Sequence, residues 1–257
     1  MRKLLVLFAV FAVLPVTVFA DITVYGRANV SADLLDDGAD YSEVNMISNA
    51  SRLGFKGSKD FDGITGIFQI EQEVNINDVG NTWASRDTFV GIKAGFGMLR
   101  AGKFDTPFKV ARAPANYFGD QMGDMRNLTR VGDARFDERL PNIVHYQTPV
   151  YSGLQFNIAY SLHEGNSANP DNEEGEDSKD KAVSASATFN KGAFDLTAAY
   201  ESYLEDYSRG ERDAFRVVAA YNLDAWGFFG FYQLADHEVN DLLDSDVFGI
   251  EIGRAHV

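Results

Sequence analysis

The sequence predicts an all-β protein, a transmembrane antiparallel β-barrel, and three observations predict it. Apolar and polar residues alternate with period two in one segment after another between residues 22 and 252. The connections alternate in kind, short turns at one end and longer polar stretches at the other, as in a barrel whose rims face different compartments. The chain begins with an export signal yet has no cysteine, so its stability cannot come from the disulfides of small secreted domains.

Residues 1–20 read as a cleaved signal peptide. Arg2 and Lys3 precede the unbroken apolar run Leu4 to Leu14, Pro15 ends it, and Val18-Phe19-Ala20 places small residues before Asp21. The other reading, a membrane anchor, would need a longer apolar run. Loss of Arg2 and Lys3 takes the net charge from −15 to −17. That charge excludes general affinity for nucleic acid, which needs a basic surface to displace counterions.

The first predicted strand alternates Ile22, Val24, Ala28 and Val30 with Thr23, Tyr25, Arg27, Asn29 and Ser31. The second sets Leu53 and Phe55 against Arg52, Lys56 and Ser58, and the third Ile64, Phe68, Ile70 and Val74 against Thr65, Gln69, Glu71 and Asn75. Weaker strands follow near 86–94, 97–103 and 139–148. The alternation is clearest at Leu154, Phe156, Ile158 and Tyr160, and it continues through 183–189, 194–200 and 215–223. Residues 226–234 are apolar on both faces, which leaves their orientation open, and a last strand begins near Val247. The count is about twelve strands. Short turns fall at 59–62, 94–95, 149–153, 191–192 and 224–225.

A soluble sandwich also alternates, but its polar face meets bulk water. Here the polar face carries Arg27, Arg52, Lys56, Glu71, Glu73 and Arg216 among small residues, which suits a wet lumen. The apolar face places Phe55, Phe68, Tyr146, Tyr160, Phe189, Tyr200 and Tyr221 near turns, where aromatics form interfacial girdles. Because a bilayer core cannot satisfy an open sheet edge, such a sheet is expected to close on itself.

Val24-Tyr25-Gly26-Arg27 and Ser51-Arg52-Leu53-Gly54-Phe55-Lys56-Gly57 resemble segments of the general, trimeric porins of Gram-negative bacteria. Further matches follow in order: Ile67 to Glu71, Arg86 to Gly91, Phe96 to Lys103, and Arg139-Leu140-Pro141-Asn142 before Tyr146. The resemblance implies a barrel of about sixteen strands, a homotrimer in the outer membrane, and a third loop folded into the pore. That loop is the stretch Thr106 to Glu138, the longest without period-two alternation, whose composition favours neither strand nor helix. A flexible external loop is the other reading of it.

The resemblance also implies a constriction of opposed charges. Its basic wall would be Arg27, Arg52, Arg86 and Arg139; its acidic loop side would be Asp120 and Asp124, with Asp133 and Asp137 as alternates. Parity puts Arg27 and Arg52 on the polar face, while the facing of Arg86 and Arg139 rests on the resemblance. The other reading is that these arginines solvate the lumen or pair with neighbours. Arginine suits such a wall because it stays charged and holds a rigid fork. Opposed charges about 8 Å apart interact by roughly 0.5–2 kcal/mol, enough to orient a solute without trapping it.

No cofactor or metal site is expected, since His145, His163 and His237 lie far apart and flank no carboxylate pair. Residues 164–181, rich in Asp and Glu, read as a solvated loop, with a divalent-cation bridge to lipopolysaccharide as a second reading. The expected function is passive diffusion of small hydrophilic solutes and ions. A barrel enzyme would need a Ser/His/acid set that no segment proposes, and a plugged structural barrel would need bulkier apolar lumen positions. The negative charge suggests a modest preference for cations.

The domain layout is then a signal peptide at 1–20, a partial barrel at 21–250, and a non-native tail at 251–257. A C-terminally truncated barrel is expected from the strand count, with a natural twelve-stranded barrel as the alternative.

Overall fold

The structure, a computed structural model, describes residues 21–36, 38, 42–76, 83–116, 118–121, 123–132, 135–162, 180–204, 207–238 and 240–254. The predicted signal peptide and residues 255–257 lie outside these. The strands are β1 (Asp21–Arg27), β2 (Val30–Asp36), β3 (Ser42–Ser48), β4 (Arg52–Phe61), β5 (Ile64–Glu73), β6 (Thr88–Ala94) and β7 (Gly97–Asp105). After two short helices, α1 (Pro107–Ala111) and α2 (Arg126–Thr129), come β8 (Arg139–Gln147), β9 (Leu154–Ser161) and β10 (Ala182–Lys191). The last four are β11 (Phe194–Tyr203), β12 (Arg212–Leu223), β13 (Trp226–His237) and β14 (Ser245–Arg254).

Twelve strands form one antiparallel sheet in the order β1, β4, then β5 to β14 in sequence, while β2 and β3 pair separately. The sheet is thus a meander in which β2 and β3 prolong its first hairpin. Among the described residues β1 and β14 stand at its two edges and do not pair with each other. Glu251 to Arg254, expected as a non-native tail, continue β14 and pair with Trp226 to Phe229.

The predicted strand over 22–31 is interrupted at Ala28-Asn29, and the hairpin of β2 and β3 escapes the sequence reading. The cause is a register step. Arg27 lies opposite Arg52, but Val30 lies opposite Ser48, one residue out of phase. At the step a side chain replaces the ladder: Ser51 Oγ accepts from the Asn29 N–H at 2.9 Å and donates to the Asn29 carbonyl at 3.0 Å.

Faces follow the alternation. On β9, Phe156, Ile158 and Tyr160 point outward and are exposed, whereas Ala159 and Ser161 are buried on the inner face. On β13, Trp226, Phe228, Tyr232 and Leu234 face outward, and Phe231 is buried on the inner face beside its cross-strand partner Val218 and beneath Ala115 and Met125 of the loop. The stretch apolar on both faces therefore has an inner partner, the loop between β7 and β8.

That loop contains helix despite its composition. Pro107 occupies the first turn of α1, and the Thr106 side chain caps it by accepting from the Lys109 N–H at 3.2 Å. Phe104, Phe108, Phe136 and Tyr203 are buried where the loop crosses the wall. Burial of each such ring stabilises by about 1.5–3 kcal/mol. Ala182, Ala199 and Ala214 leave the room they fill, and Ser184 Oγ accepts from the Phe108 N–H at 3.0 Å. The loop is folded inward and packed on β10 to β13.

Candidate functional site

The wall opposite the packed loop is made by β1, β4, β5 and the start of β6. Arg27 and Arg52 are direct cross-strand partners, and like charges in that position repel. Each is offset by an acid. Arg27 reaches Asp120 on the loop at 3.2 Å, and Arg52 stands 3.8 Å from Glu71 on β5. Arg86 donates its Nε proton to Glu71 at 2.7 Å and pairs with Glu73 at 3.3 Å. Glu71 also accepts from the Tyr25 hydroxyl at 2.9 Å. Arg139, at the start of β8, pairs with Asp87 and with Asp105 at 2.7 Å.

These four arginines line two cavities that share part of their walls. Arg52, Arg86 and Arg139 border a cavity of about 830 Å³ between wall and loop, and also an adjoining one of about 390 Å³ that Arg27 borders. Three of them are tied to carboxylates of the wall itself. Arg27 alone of the four pairs with the loop among the described ion pairs.

The loop acids divide. Asp120 lines the larger cavity and bridges Arg27 and Arg126, the latter at 2.8 Å. Asp124 also lines it, but its carboxylate is nearly buried. It accepts from Arg112 at 3.3 Å, from the Asp120 N–H at 2.7 Å, from the Arg126 N–H at 2.9 Å and from the Arg126 side chain. Burial raises the pKa of this carboxyl, and the bonds from Arg126 and the two backbone N–H groups outweigh it, holding it well below the usual carboxylate range.

Asp137, an alternate for the acidic side, is placed elsewhere. It is fully buried against Arg216 of β12, which donates to both its oxygens at 2.7 and 2.6 Å. Burial acts to raise its pKa, but Arg216 prevails and lowers it. Arg216 also donates to the Phe108 carbonyl at 3.2 Å and to Gln233 Oε1, while Gln233 donates to the Thr129 carbonyl at 3.1 Å. This cluster fastens the loop to the wall. The neighbouring contacts do the same: Arg209 pairs with Glu138, and Arg212 donates to the Arg135 carbonyl at 3.2 Å and lies over the Tyr203 ring at 3.6 Å. Asp133 lies outside the described residues.

The sequence reading missed the loop's cations. Lys109, Arg112, Arg126, Arg130 and Arg135 all border the larger cavity. Their signal was available as basic residues inside the same non-alternating stretch as the acids. Among the described residues no cluster of His, Asp or Glu could hold a metal ion.

A meander of membrane-barrel strands with a charged opening against an inserted loop is the architecture of an outer-membrane barrel protein. The Gram-negative porin family matches residues 6–255, and the chain belongs to that family. It is similar to the major outer membrane protein P.IB of Neisseria meningitidis serogroup B, with 32% identity over 162 residues, 60% of this chain and 47% of that protein. Identity to P.IB of Neisseria sicca is 27% over 200 residues, 74% of this chain and 52% of that protein. The chain spans about half the length of the curated relatives it matches. Among solved structures, the anion-selective porin from Comamonas acidovorans superposes with a TM-score of 0.66 at 20% identity, over 91% of this chain and 72% of that one. At that identity the likeness is one of fold.

Proposed function

We propose that this protein forms a water-filled channel in the outer membrane through which small hydrophilic solutes and ions diffuse passively. It does so as a homotrimer, after export under the leader at residues 1–20. The observation that carries this reading is the opening of about 830 Å³ between wall and loop. A passage lined by charges of both signs orients polar solutes and binds none of them deeply, as diffusion requires. Arg27, Arg52, Arg86 and Arg139 act as its basic side and Asp120 as its acidic one. Asp124 holds the Asp120 backbone and Arg126 in place. Outward aromatics such as Tyr160, Tyr200 and Tyr221 meet lipid at the membrane boundary. Lipopolysaccharide borders the rim; most of the acidic stretch 164–181 lies outside the described residues.

The lining supports an ion preference opposite to the one expected from net charge. Eight Arg or Lys face four Asp or Glu around the opening, although the chain as a whole carries −15. Rim charges are screened within about 8 Å in physiological salt, whereas lining charges act on an ion at contact. Small anions should therefore be favoured. Reconstitution in a planar bilayer tests both statements. Ohmic single-channel steps with a reversal potential of anionic sign under a salt gradient are expected. Absence of conductance removes the channel reading, and a cationic sign removes the selectivity.

A further inference from the structure

We propose that a pocket beneath the inserted loop, separate from the charged opening, binds small carboxylates that carry an apolar or aromatic body. The pocket, of about 260 Å³, lies between α1 with the turn after it and the inner faces of β7 to β11. Its loop side is apolar, formed by Pro107, Val110 and Pro114; its wall side is polar and centres on Arg100, His145 and Asn157.

The argument rests on which hydrogen-bonding groups remain unspent. Arg100 donates its Nε proton to His145 Nδ1 at 3.0 Å. Because a guanidinium only donates, Nδ1 must accept, so the imidazole carries its proton on Nε2. That proton goes to Asn157 Oδ1 at 3.1 Å, which also accepts from Gln147 Nε2 at 3.0 Å. The Asn157 carbonyl is saturated, and its amide N–H₂ remains free to donate. Arg100 has a second unusual feature. Its guanidinium stacks over Phe104 at 4.0 Å and lies near Phe89 at 4.9 Å, so it is partly stripped of water. Yet among the described residues no carboxylate stands within ion-pair distance of it. Each of the four wall arginines at the opening has one.

A half-desolvated cation whose nearest opposite charges, Asp87 and Asp105, attract it only from beyond ion-pair distance is an incomplete site. The Nη groups of Arg100 form a planar fork matched to a carboxylate, and the Asn157 amide on the other side of His145 adds a further donor. The apolar loop side then accepts a ring or short alkyl body. Hydrated inorganic anions gain nothing from that surface and are better served at the wet opening. This inference concerns binding and does not require that the chain conduct.

The test uses the folded chain in detergent at low ionic strength, titrated by calorimetry with sodium benzoate, and with acetate and benzyl alcohol as probes lacking the ring and the charge. Benzoate is expected to bind about tenfold more tightly than either. Arg100→Gln should abolish the difference between benzoate and benzyl alcohol. Arg100→Lys, which keeps charge but loses the fork, should retain only part of it. Since Arg100 packs on two rings, a second variant avoids disturbing the wall: Val110→Asp, at the exposed lip of the pocket on α1, removes apolar contact for both ring probes but repels only the charged one, and so should weaken benzoate about tenfold more than benzyl alcohol. Equal binding of all three probes, or benzoate binding unchanged in Val110→Asp, overturns the proposal. Failure to conduct in a bilayer while benzoate still binds would count against the channel and not against this pocket.

Discussion

The wall formed by β1, β4 and β5 and the wall formed by β10 to β13 are built on the same alternation, yet one borders an open, charged cavity and the other a packed core. Inward positions on the first wall are Tyr25, Arg27, Arg52, Lys56, Gln69 and Glu71, which line open space. On the second they are mainly Ala182, Ser184, Ala199, Ala214 and Val218, buried under the loop. Both sets interrupt an apolar face with period two. What separates them is side-chain length. Short residues admit another segment to contact distance, whereas long charged ones hold it away and leave a cavity between. Glu201, Arg212 and Gln233 are long and buried on the dry side as well, held by hydrogen bonds, and the chief exception, Arg216, meets Asp137 there.

The largest expected effect comes from breaking that exception. Asp137→Ala leaves Arg216 buried without its partner and should cost about 3–5 kcal/mol. It should appear as a lower thermal midpoint in detergent and a larger conductance step once the loop is freed. The double variant Asp137→Leu with Arg216→Met should recover most of the stability. If it remains as unstable as Asp137→Ala alone, the ion pair is not what fastens the loop.

A smaller effect tests the size rule on both walls. Ala199→Phe overfills the space under α1 and should cost about 1–3 kcal/mol. Gln69→Phe on the wet wall should cost under about 1 kcal/mol, because water yields. Equal losses in chemical denaturation would erase the distinction between the two halves.

Next comes ion preference. Removing both cross-strand charges by Arg27→Gln with Arg52→Gln should move the permeability ratio towards cations by about two- to tenfold. An unchanged reversal potential would mean that the loop cations alone set selectivity. The smallest effect is with acid. A carboxyl held low in the folded loop contributes stability that is fully present above its unfolded value, about 4. That contribution is lost only as pH falls through the lower folded value. Asp124 should therefore keep the loop protected from protease from pH 7 down to about 4, and Asp124→Asn should lower protection across that whole range. Loss of protection beginning near pH 5 in the unaltered protein would contradict this.

Much of the fold is legible because an outward apolar face repeats locally: β9 can be read from eight residues without knowing its neighbours. The orientation of β13 could not be read that way. Phe231 is apolar on an inner face because Ala115 and Met125 cover it, and no local pattern announces a cover more than a hundred positions away. The step at Ala28-Asn29 was hidden for a related reason, since it depends on Ser51 side-chain bonds. At the site, Arg27 and Arg52 were legible from parity. The loop acids were not separable, because Asp120 and Asp137 differ only in whether they meet Arg27 or Arg216. The loop's own arginines share that ambiguity, since a basic residue in a stretch without alternation has no face that the sequence can assign.

The fastening of the loop has a consequence for how such a protein can change over generations. Arg209, Arg212 and Arg216 sit on one face or rim of β12 and its approach, and they grip the stretch from Arg135 to Glu138. The residues facing Arg27 lie at Asp120, on the far arm of the same loop. Attachment and aperture are thus heritable as separate units. Substitutions of the Asp120 side chain itself can alter the opening with little penalty to folding, while those around Asp137 carry a large one. Diversity among descendants of this chain should accumulate on one arm of the loop and be scarce on the other.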